Sequence, residues 1–277
     1  MFKKKIILSL VIFIFSLFSL LSCIAQEQAS SVLPKDLGKL EYRFNKDEVV
    51  VYKTTQDITV TSENEYLKKA GGHAVENWYT IMKTEDATDE QYKFIVVGFS
   101  DKVGELARRN FILTKDGTFE PTLTDYWFFL NCPKFPREIK KEWEAPIVMI
   151  FGLDRTKDPL INIKAKYKIK GTEKLSNIDC LIIESELTAK ETVDIGNDGI
   201  KDEVELQDKA TTYFAYKEGR VLKIDLSRRY KITAAYEQGK NMVMRDEYAT
   251  AKYELSDRKF TQTQLDAWLY DKYPDID

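Results

Sequence analysis

The feature that most constrains the fold is a succession of short runs in which apolar and polar residues alternate with a period of two. Each run predicts a strand, and the predicted strands are 48–61, 76–84, 91–100, 109–115, 145–152, 160–171, 178–190, 209–217, 220–228, 229–237 and 241–255. No helical crossover of a dozen residues separates them, so parallel pairing is disfavoured. The chain is expected to be mainly β, in the α+β class, with a large curved antiparallel sheet or half-barrel.

Composition and turn residues favour the same fold. Fifteen Phe, fifteen Tyr and four Trp suit a pleated, half-buried surface. Glycines stand where tight hairpins favour a positive φ, in Lys115-Asp116-Gly117, Lys217-Glu218-Gly219 and Gln238-Gly239-Lys240. The last three predicted strands are joined by short turns and should form an antiparallel meander.

One segment in the middle of the chain interrupts the strands. Between Thr122 and Trp143, the apolar cluster Tyr126–Leu130 is followed by two prolines and the charged run Arg137–Glu142. This pattern predicts a short helix or an irregular segment that caps or plugs the sheet.

The C-terminal segment, Thr261–Tyr273, has the pattern of a helix. Leu265, Trp268 and Leu269 recur at helical spacing, and Thr261 or Thr263 could serve as the N-cap. A short amphipathic helix packed on the sheet is expected.

The first 22 residues have the pattern of a bacterial export signal. Lys3, Lys4 and Lys5 precede the apolar run Ile6–Leu21, whose only polar residues are serines and which is short for a membrane span. The run ends in Leu20-Leu21-Ser22-Cys23, which resembles the bacterial lipobox, where a small residue precedes a cysteine that becomes lipidated. Ordinary signal-peptidase cleavage nearby, for instance after Ala25, is the alternative.

Lipidation of Cys23 would make the rest of the chain an exported lipoprotein held at a membrane by two or three acyl chains. Residues 23–40, rich in Gln, Ser and Ala, are expected to be a flexible tether, followed by a single domain at 41–277. By analogy with double-membrane bacteria, Ile24 favours the outer membrane, and the outer face of the cell membrane is the alternative.

The charge of the exported part argues against a nucleic-acid partner. Removing the first 22 residues takes away three lysines and no acid, so the net charge changes from −3 to −6. Basic and acidic residues are interleaved, whereas phosphate binding needs a basic face.

Taken together, the chain resembles the β-rich exported bacterial lipoproteins of uncharacterised activity, whose domains are strongly curved antiparallel sheets, broadly similar to the half-barrels of lipoprotein carrier proteins. The lipobox, the succession of strands and the segment Pro136–Trp143 carry the resemblance, over most of residues 45–256. It implies a fold and no activity. Two similar halves, at about 45–121 and 144–256, would fit the strands on either side of the mid-chain break.

Residues suited to catalysis are few. The single histidine, His73, lies in the small-residue stretch Ala70–Ala74, without a Gly-x-Ser-x-Gly elbow or a phosphate-binding loop. It is expected to be a solvent-facing loop residue. A zinc hydrolase would need two or three histidines. Paired carboxylates stay open, because 45 acidic residues offer many pairs.

Residues 194–205 have the spacing of an EF-hand calcium loop, with a glycine at position six. Gly196 departs from the usual Asp or Asn at position three, and a solvated acidic connection between strands is the alternative. Structural calcium is the one cofactor that the sequence suggests. Its ligands would be the side chains of four acids and one carbonyl oxygen, from Asp194, Asp198, Asp202, Glu205 and Ile200.

Two cysteines remain after Cys23. An oxidising compartment would permit a disulfide between Cys132 and Cys180. The alternative takes Cys180 as a small core residue, because Ile178, Cys180 and Ile182 alternate onto one face of a strand.

These expectations favour a lipid-anchored, exported and non-catalytic binding or scaffold protein, whose ligand is a lipid or another amphipathic molecule. Its partners would be the membrane, through the anchor, and a hydrophobic ligand or an envelope protein. The alternatives are a structural or adhesion protein of the cell envelope and a carboxylate-based hydrolase. The hydrolase needs two carboxylates about 5 to 9.5 Å apart in a cleft.

Overall fold

A computed structural model of the chain describes residues 33–34, 37–69, 71–120, 131–150, 160–195, 201–236 and 240–270. The predicted export signal, Cys23 and most of the predicted tether lie outside these residues. The strands and helices, in chain order, are β1 (Val49–Thr61), α1 (Glu65–Lys68), β2 (Gly72–Ala87), β3 (Gln91–Ser100), β4 (Gly104–Thr114), β5 (Phe119–Glu120), β6 (Glu142–Ile150), β7 (Leu160–Leu175), β8 (Ile178–Val193), β9 (Asp202–Ala215), β10 (Arg220–Tyr236), β11 (Lys240–Leu255) and α2 (Gln262–Tyr270).

The strands form one open antiparallel sheet. Their order is β5-β4-β3-β2-β1-β11-β10-β9-β8-β7-β6, with β5 and β6 at its two edges. Two meanders, β1–β5 and β6–β11, meet where β1 pairs with β11, from Tyr52 opposite Leu255 to Thr61 opposite Asp246. The predicted mainly β, antiparallel fold is confirmed. Sequence similarity between the two halves stays a prediction.

Both edges of the sheet carry features that discourage pairing with another chain. β5 has two residues, and β6 contains Pro146, which has no backbone N–H to donate. Proline inside a strand is largely restricted to edges, which agrees with the position of β6.

The sheet has two different faces because alternate side chains of a strand point in opposite directions. In β7, buried and exposed residues alternate strictly from Leu160 to Lys170. One face supplies residues from every strand to a single apolar cluster, including Phe119 of β5 and Trp143 of β6. Since both edge strands contribute to one cluster, the sheet curls around this face, which we call the concave face. The opposite face is the convex face.

The predicted break between two strands at residues 228 and 229 is wrong. Residues 220–228 and 229–237 were expected to be two strands, but they form the single strand β10 (Arg220–Tyr236). In the structure Arg228 is buried, as are Leu226 and Tyr230, so the alternation continues through it.

The folded part begins earlier than the predicted boundary at residue 41. Leu33 and Leu37 pack against the apolar cluster, and Leu40 is itself buried within it. Apolar side chains therefore fix the end of the predicted tether to the domain.

The C-terminal helix is confirmed as α2, with Thr261 as its N-cap. The backbone N–H of Gln264 donates to Thr261 Oγ1 at 3.2 Å, and the Thr261 N–H donates to Gln264 Oε1 at 3.0 Å, which is a capping box. Leu265 and Trp268 pack on the convex face against the cluster of Val51, Ile81, Ile95 and Val97. The side chain of Leu269 and residues 271–273 lie outside the described part.

None of the helices in the part of the chain covered by the structure has the length and apolar character needed to cross a membrane.

Candidate ligand-binding face

Among the residues that the structure describes, two irregular segments lie against the concave face. The first, residues 37–48, is called the strap. The Tyr42 N–H donates to the Lys115 carbonyl in the β4–β5 turn, and the Arg43 N–H donates to the Gly219 carbonyl in the β9–β10 turn, both at 2.9 Å. The strap therefore joins a turn of the first meander to a turn of the second, which holds the curled sheet together at one end.

The glycines of these two turns have the positive φ that the sequence predicts. φ is +94° at Gly117 and +68° at Gly219. A Cβ at Gly219 would lie 2.8 Å from the Arg43 nitrogen, so the strap also needs glycine there for close approach. Gly239 lies outside the described residues.

The second segment, residues 131–136, is called the plug, and it belongs to the predicted mid-chain segment. It has neither helix nor strand, as one form of that prediction expected. The Tyr42 hydroxyl donates to the Pro133 carbonyl at 3.0 Å, and Trp143 Nε1 donates to the Lys134 carbonyl at 2.6 Å. The Phe135 ring lies 4.6 Å from that of Phe214 in β9. The cluster Tyr126–Leu130 lies outside the described residues.

A buried ion pair links the plug to the sheet. Arg228 in β10 donates from Nε and Nη2 to the carboxylate of Asp208 in β9, at 2.9 and 2.8 Å. Asn131 Nδ2 of the plug donates to the same carboxylate at 3.0 Å. The exposed fractions of the Arg228 and Asp208 side chains are 1% and 0%. Sequence analysis missed this pair, although both residues occupy core positions of alternating runs.

Two hydroxyl groups beside this pair are buried and make no hydrogen bond. They are Ser185 Oγ in β8 and Thr212 Oγ1 in β9. Ser185 pairs with Ala210, and Ala210 lies between Asp208 and Thr212 on the same face of β9. A buried hydroxyl normally has a hydrogen-bond partner, so these two hydroxyls could still bond a polar group that is not part of the chain.

Cys132 of the plug is surrounded by tyrosines. Burial, followed by the neighbouring Cys132 thiol, raises the pKa of Tyr42 and Tyr52. Burial likewise raises the pKa of Tyr253 to about 12 and that of the Cys132 thiol well above its usual value. A protonated, buried thiol is a poor nucleophile.

Cys132 and Cys180 are free thiols in the structure, so the suggested disulfide is not formed. Cys132 belongs to the concave cluster, whereas Cys180 packs with Ala215 and Leu222 in a separate cluster. Its strand neighbours Leu181 and Ile183 belong to the concave cluster, so alternation directs Cys180 to the convex face. The interpretation of Cys180 as a small core residue is confirmed.

The convex face has a charged groove of about 590 Å³ across β6 to β9. Its glutamates are paired with lysines of neighbouring strands: Lys166 lies 3.9 Å from Glu144, Lys170 lies 3.2 Å from Glu184 and Lys209 lies 4.0 Å from Glu186. The hydrogen bond from Lys168 holds the pKa of Glu142 below its usual range. A general acid of a hydrolase needs a raised pKa, so Glu142 is poorly suited to that role.

His73 is in strand β2, not in the predicted loop, and it is exposed as expected. Its Nε2 lies 2.9 Å from Asp57 Oδ1 in β1, and the exposed fractions of the two side chains are 59% and 55%.

The predicted calcium ligands are only partly within the described residues, because Asp198 and Ile200 lie outside them. β9 begins at Asp202, so the connection is shorter than a twelve-residue loop. Asp202 and Glu205 are three positions apart in a strand and point to opposite faces. Glu205 Oε1 lies 2.8 Å from Lys190 Nζ, and this hydrogen bond lowers the pKa of Glu205. Calcium binding stays a prediction, and no group of three metal-ligating side chains occurs among the described residues.

The sequence matches no protein-family model and no curated protein, so the function has to be argued from the residues themselves.

Proposed function

We propose that this protein is an exported, lipid-anchored binding protein of the cell envelope, which takes an apolar or amphipathic ligand, such as a lipid, on its concave face without chemical turnover. The membrane is its other partner, through acyl chains on Cys23. The proposal has two parts, location and binding, which are tested separately.

The location rests on the N-terminal sequence. A basic n-region, an apolar run too short for a stable span and a lipobox-like end at Cys23 are the features of a lipoprotein signal. Cells grown with labelled palmitate should incorporate label into the wild-type chain and none into a Cys23→Ser variant. Equal labelling of both, or recovery of an unprocessed chain from the cytosol, would contradict the location.

The binding part of the proposal is supported by one observation, namely that irregular segments cover the apolar concave face. A single apolar cluster draws on all eleven strands. Within the described ranges, it is the strap and the plug that lie on it, while helix α2 packs on the convex face. Irregular segments held by a small number of hydrogen bonds can move at lower cost than a packed layer of sheet or helix. An apolar face covered in this way is suited to accept an apolar ligand.

Matched substitutions on β11 test where the ligand binds. Ala251 is buried on the concave face, and its neighbour Thr250 is exposed on the convex face. The exported chain carrying Cys23→Ser, which lacks the anchor's acyl chains, would be titrated with a fluorescent fatty alcohol. Ala251→Leu should weaken binding at least tenfold by filling the face, whereas Thr250→Leu should leave it unchanged. Equal affinity in both variants, with folding checked by circular dichroism, would contradict binding at this face.

A further inference from the structure

Ala210 lies at the centre of a small polar site on the concave face, which we call the hydroxyl niche (Ser185, Asp208, Ala210 and Thr212). Asp208, Ala210 and Thr212 are alternate residues of β9 and point to the same side. Ser185 is the cross-strand partner of Ala210 in β8. All four residues are buried. The Ala210 methyl group therefore lies among side chains that carry hydrogen-bonding groups, and these groups form a polar rim around it.

The rim has hydrogen-bonding capacity that the chain does not use. Ser185 Oγ and Thr212 Oγ1 are buried without a partner. Each hydroxyl can donate one hydrogen bond and accept others. Leaving such groups unsatisfied is unfavourable, so a polar group from outside the chain is expected between them.

Asp208 determines the charge of the group that fits. Its carboxylate already accepts two hydrogen bonds from Arg228 and one from Asn131. The guanidinium is thus directed at Asp208 and not at the hydroxyls of Ser185 and Thr212. A phosphate or carboxylate head would lie next to a buried carboxylate without a cation of its own, which is strongly unfavourable. A hydroxyl, ester or amide head meets no such penalty.

We infer that the hydroxyl niche binds the uncharged hydroxyl or carbonyl head of an amphipathic ligand, through Ser185 and Thr212. This inference rests on the proposed function, because the acyl part of such a ligand would lie along the apolar concave face. Asn131 of the plug donates a hydrogen bond to Asp208, so the plug lies beside the niche. Without ligand, water fills the niche.

Competition binding with three compounds of equal chain length tests the niche. Dodecan-1-ol, dodecane and dodecanoate would compete with the fluorescent fatty alcohol for the exported Cys23→Ser protein. The test variant adds Ser185→Ala and Thr212→Val, and the control adds Thr211→Val, whose side chain points to the convex face. Neither niche hydroxyl makes a hydrogen bond in the structure, so the test variant should fold at least as stably as the wild type, as circular dichroism and urea unfolding can verify.

Dodecanol should compete about tenfold better than dodecane and dodecanoate in the wild-type background and in the Thr211→Val control, as expected for one or two hydrogen bonds. In the test variant the advantage over dodecane should disappear. Equal competition by dodecanol and dodecane in the wild-type background, or an advantage that survives in the test variant, would overturn the inference and leave water as the occupant of the niche. Failure of all three compounds and of the probe to bind would overturn the proposed function, and the inference with it.

Discussion

Arg228 and Asp208 form an ion pair with two hydrogen bonds in which neither side chain reaches solvent, on neighbouring strands of the concave face. Charges buried in this way are costly unless both partners are present. The pair also holds the plug, through Asn131, so it connects the stability of the sheet to the covering of the concave face.

Removing one partner of this pair should be strongly destabilising. Arg228→Met leaves the Asp208 carboxylate buried without its cation, and we expect the free energy of unfolding to fall by about 3–5 kcal/mol. Urea unfolding followed by circular dichroism measures this. Adding Asp208→Val to Arg228→Met should recover part of the loss, because a buried pair replaced by apolar residues is often tolerated.

Lys190→Gln provides the control for the ion pair. The substitution breaks the contact between Lys190 and Glu205. Both side chains are exposed and solvent screens their charges, so the free energy of unfolding should stay unchanged within error. Equal effects of Arg228→Met and Lys190→Gln would show that burial does not determine the contribution of these pairs.

Gly219→Ala should loosen the strap. The substitution places a Cβ at a residue with φ of +68° and against the Arg43 backbone, so a loss of about 1–3 kcal/mol is expected. Gly38→Ala is the matched control, because a Cβ at Gly38 meets nothing within 4 Å. Hydrogen exchange of the Arg43 amide should accelerate in the first variant alone. Unchanged exchange there would contradict the role given to the strap.

Cys132 and Cys180 should be unreactive in the folded protein. Burial raises the pKa of the Cys180 thiol to about 11 and that of Cys132 still further, so both are protonated at pH 8. In the Cys23→Ser protein, a thiol reagent at pH 8 should label neither residue until urea is added, and both afterwards. Rapid labelling of Cys132 in native conditions would mean that the plug leaves the concave face spontaneously.

Alkaline pH should destabilise the fold through its buried tyrosines. Burial raises the pKa of Tyr253 to about 12, and it raises those of Tyr42, Tyr52 and Tyr167 as well. An unfolded tyrosine ionises near pH 10. A raised folded pKa therefore gives stability that is complete below about pH 10 and is lost as the pH rises through the folded value. Unfolding free energies from urea titrations should fall steeply between about pH 10 and 12. A constant value over that range would contradict the burial of these hydroxyls.

The sheet was predictable from the sequence because its signals are local. Buried and exposed residues alternate in β7 because one face of the strand is solvated. Gly117 and Gly219 indicate turns through their own conformational preference, which does not depend on distant residues. The C-terminal helix was predictable for the same reason, since Thr261 and the spacing of Leu265 and Trp268 lie within ten residues.

The order of the strands and the polar site were not predictable in this way. The β1–β11 pairing joins residues about two hundred positions apart, such as Tyr52 and Leu255, and no local signal encodes it. Asp208 and Arg228 do carry a signal, an acid and a base at core positions of two alternating runs. The pair was missed because the predicted strand 209–217 left Asp208 outside it, and the predicted strand 220–228 ended at Arg228.

The most direct test of ligand binding on the concave face is native mass spectrometry of the exported Cys23→Ser protein, purified without detergent. We predict adducts of lipid mass that organic extraction removes, that Ala251→Leu reduces and that Thr250→Leu preserves. A single peak at the mass of the bare chain, unchanged by incubation with a lipid extract of the same cells, would contradict the proposal.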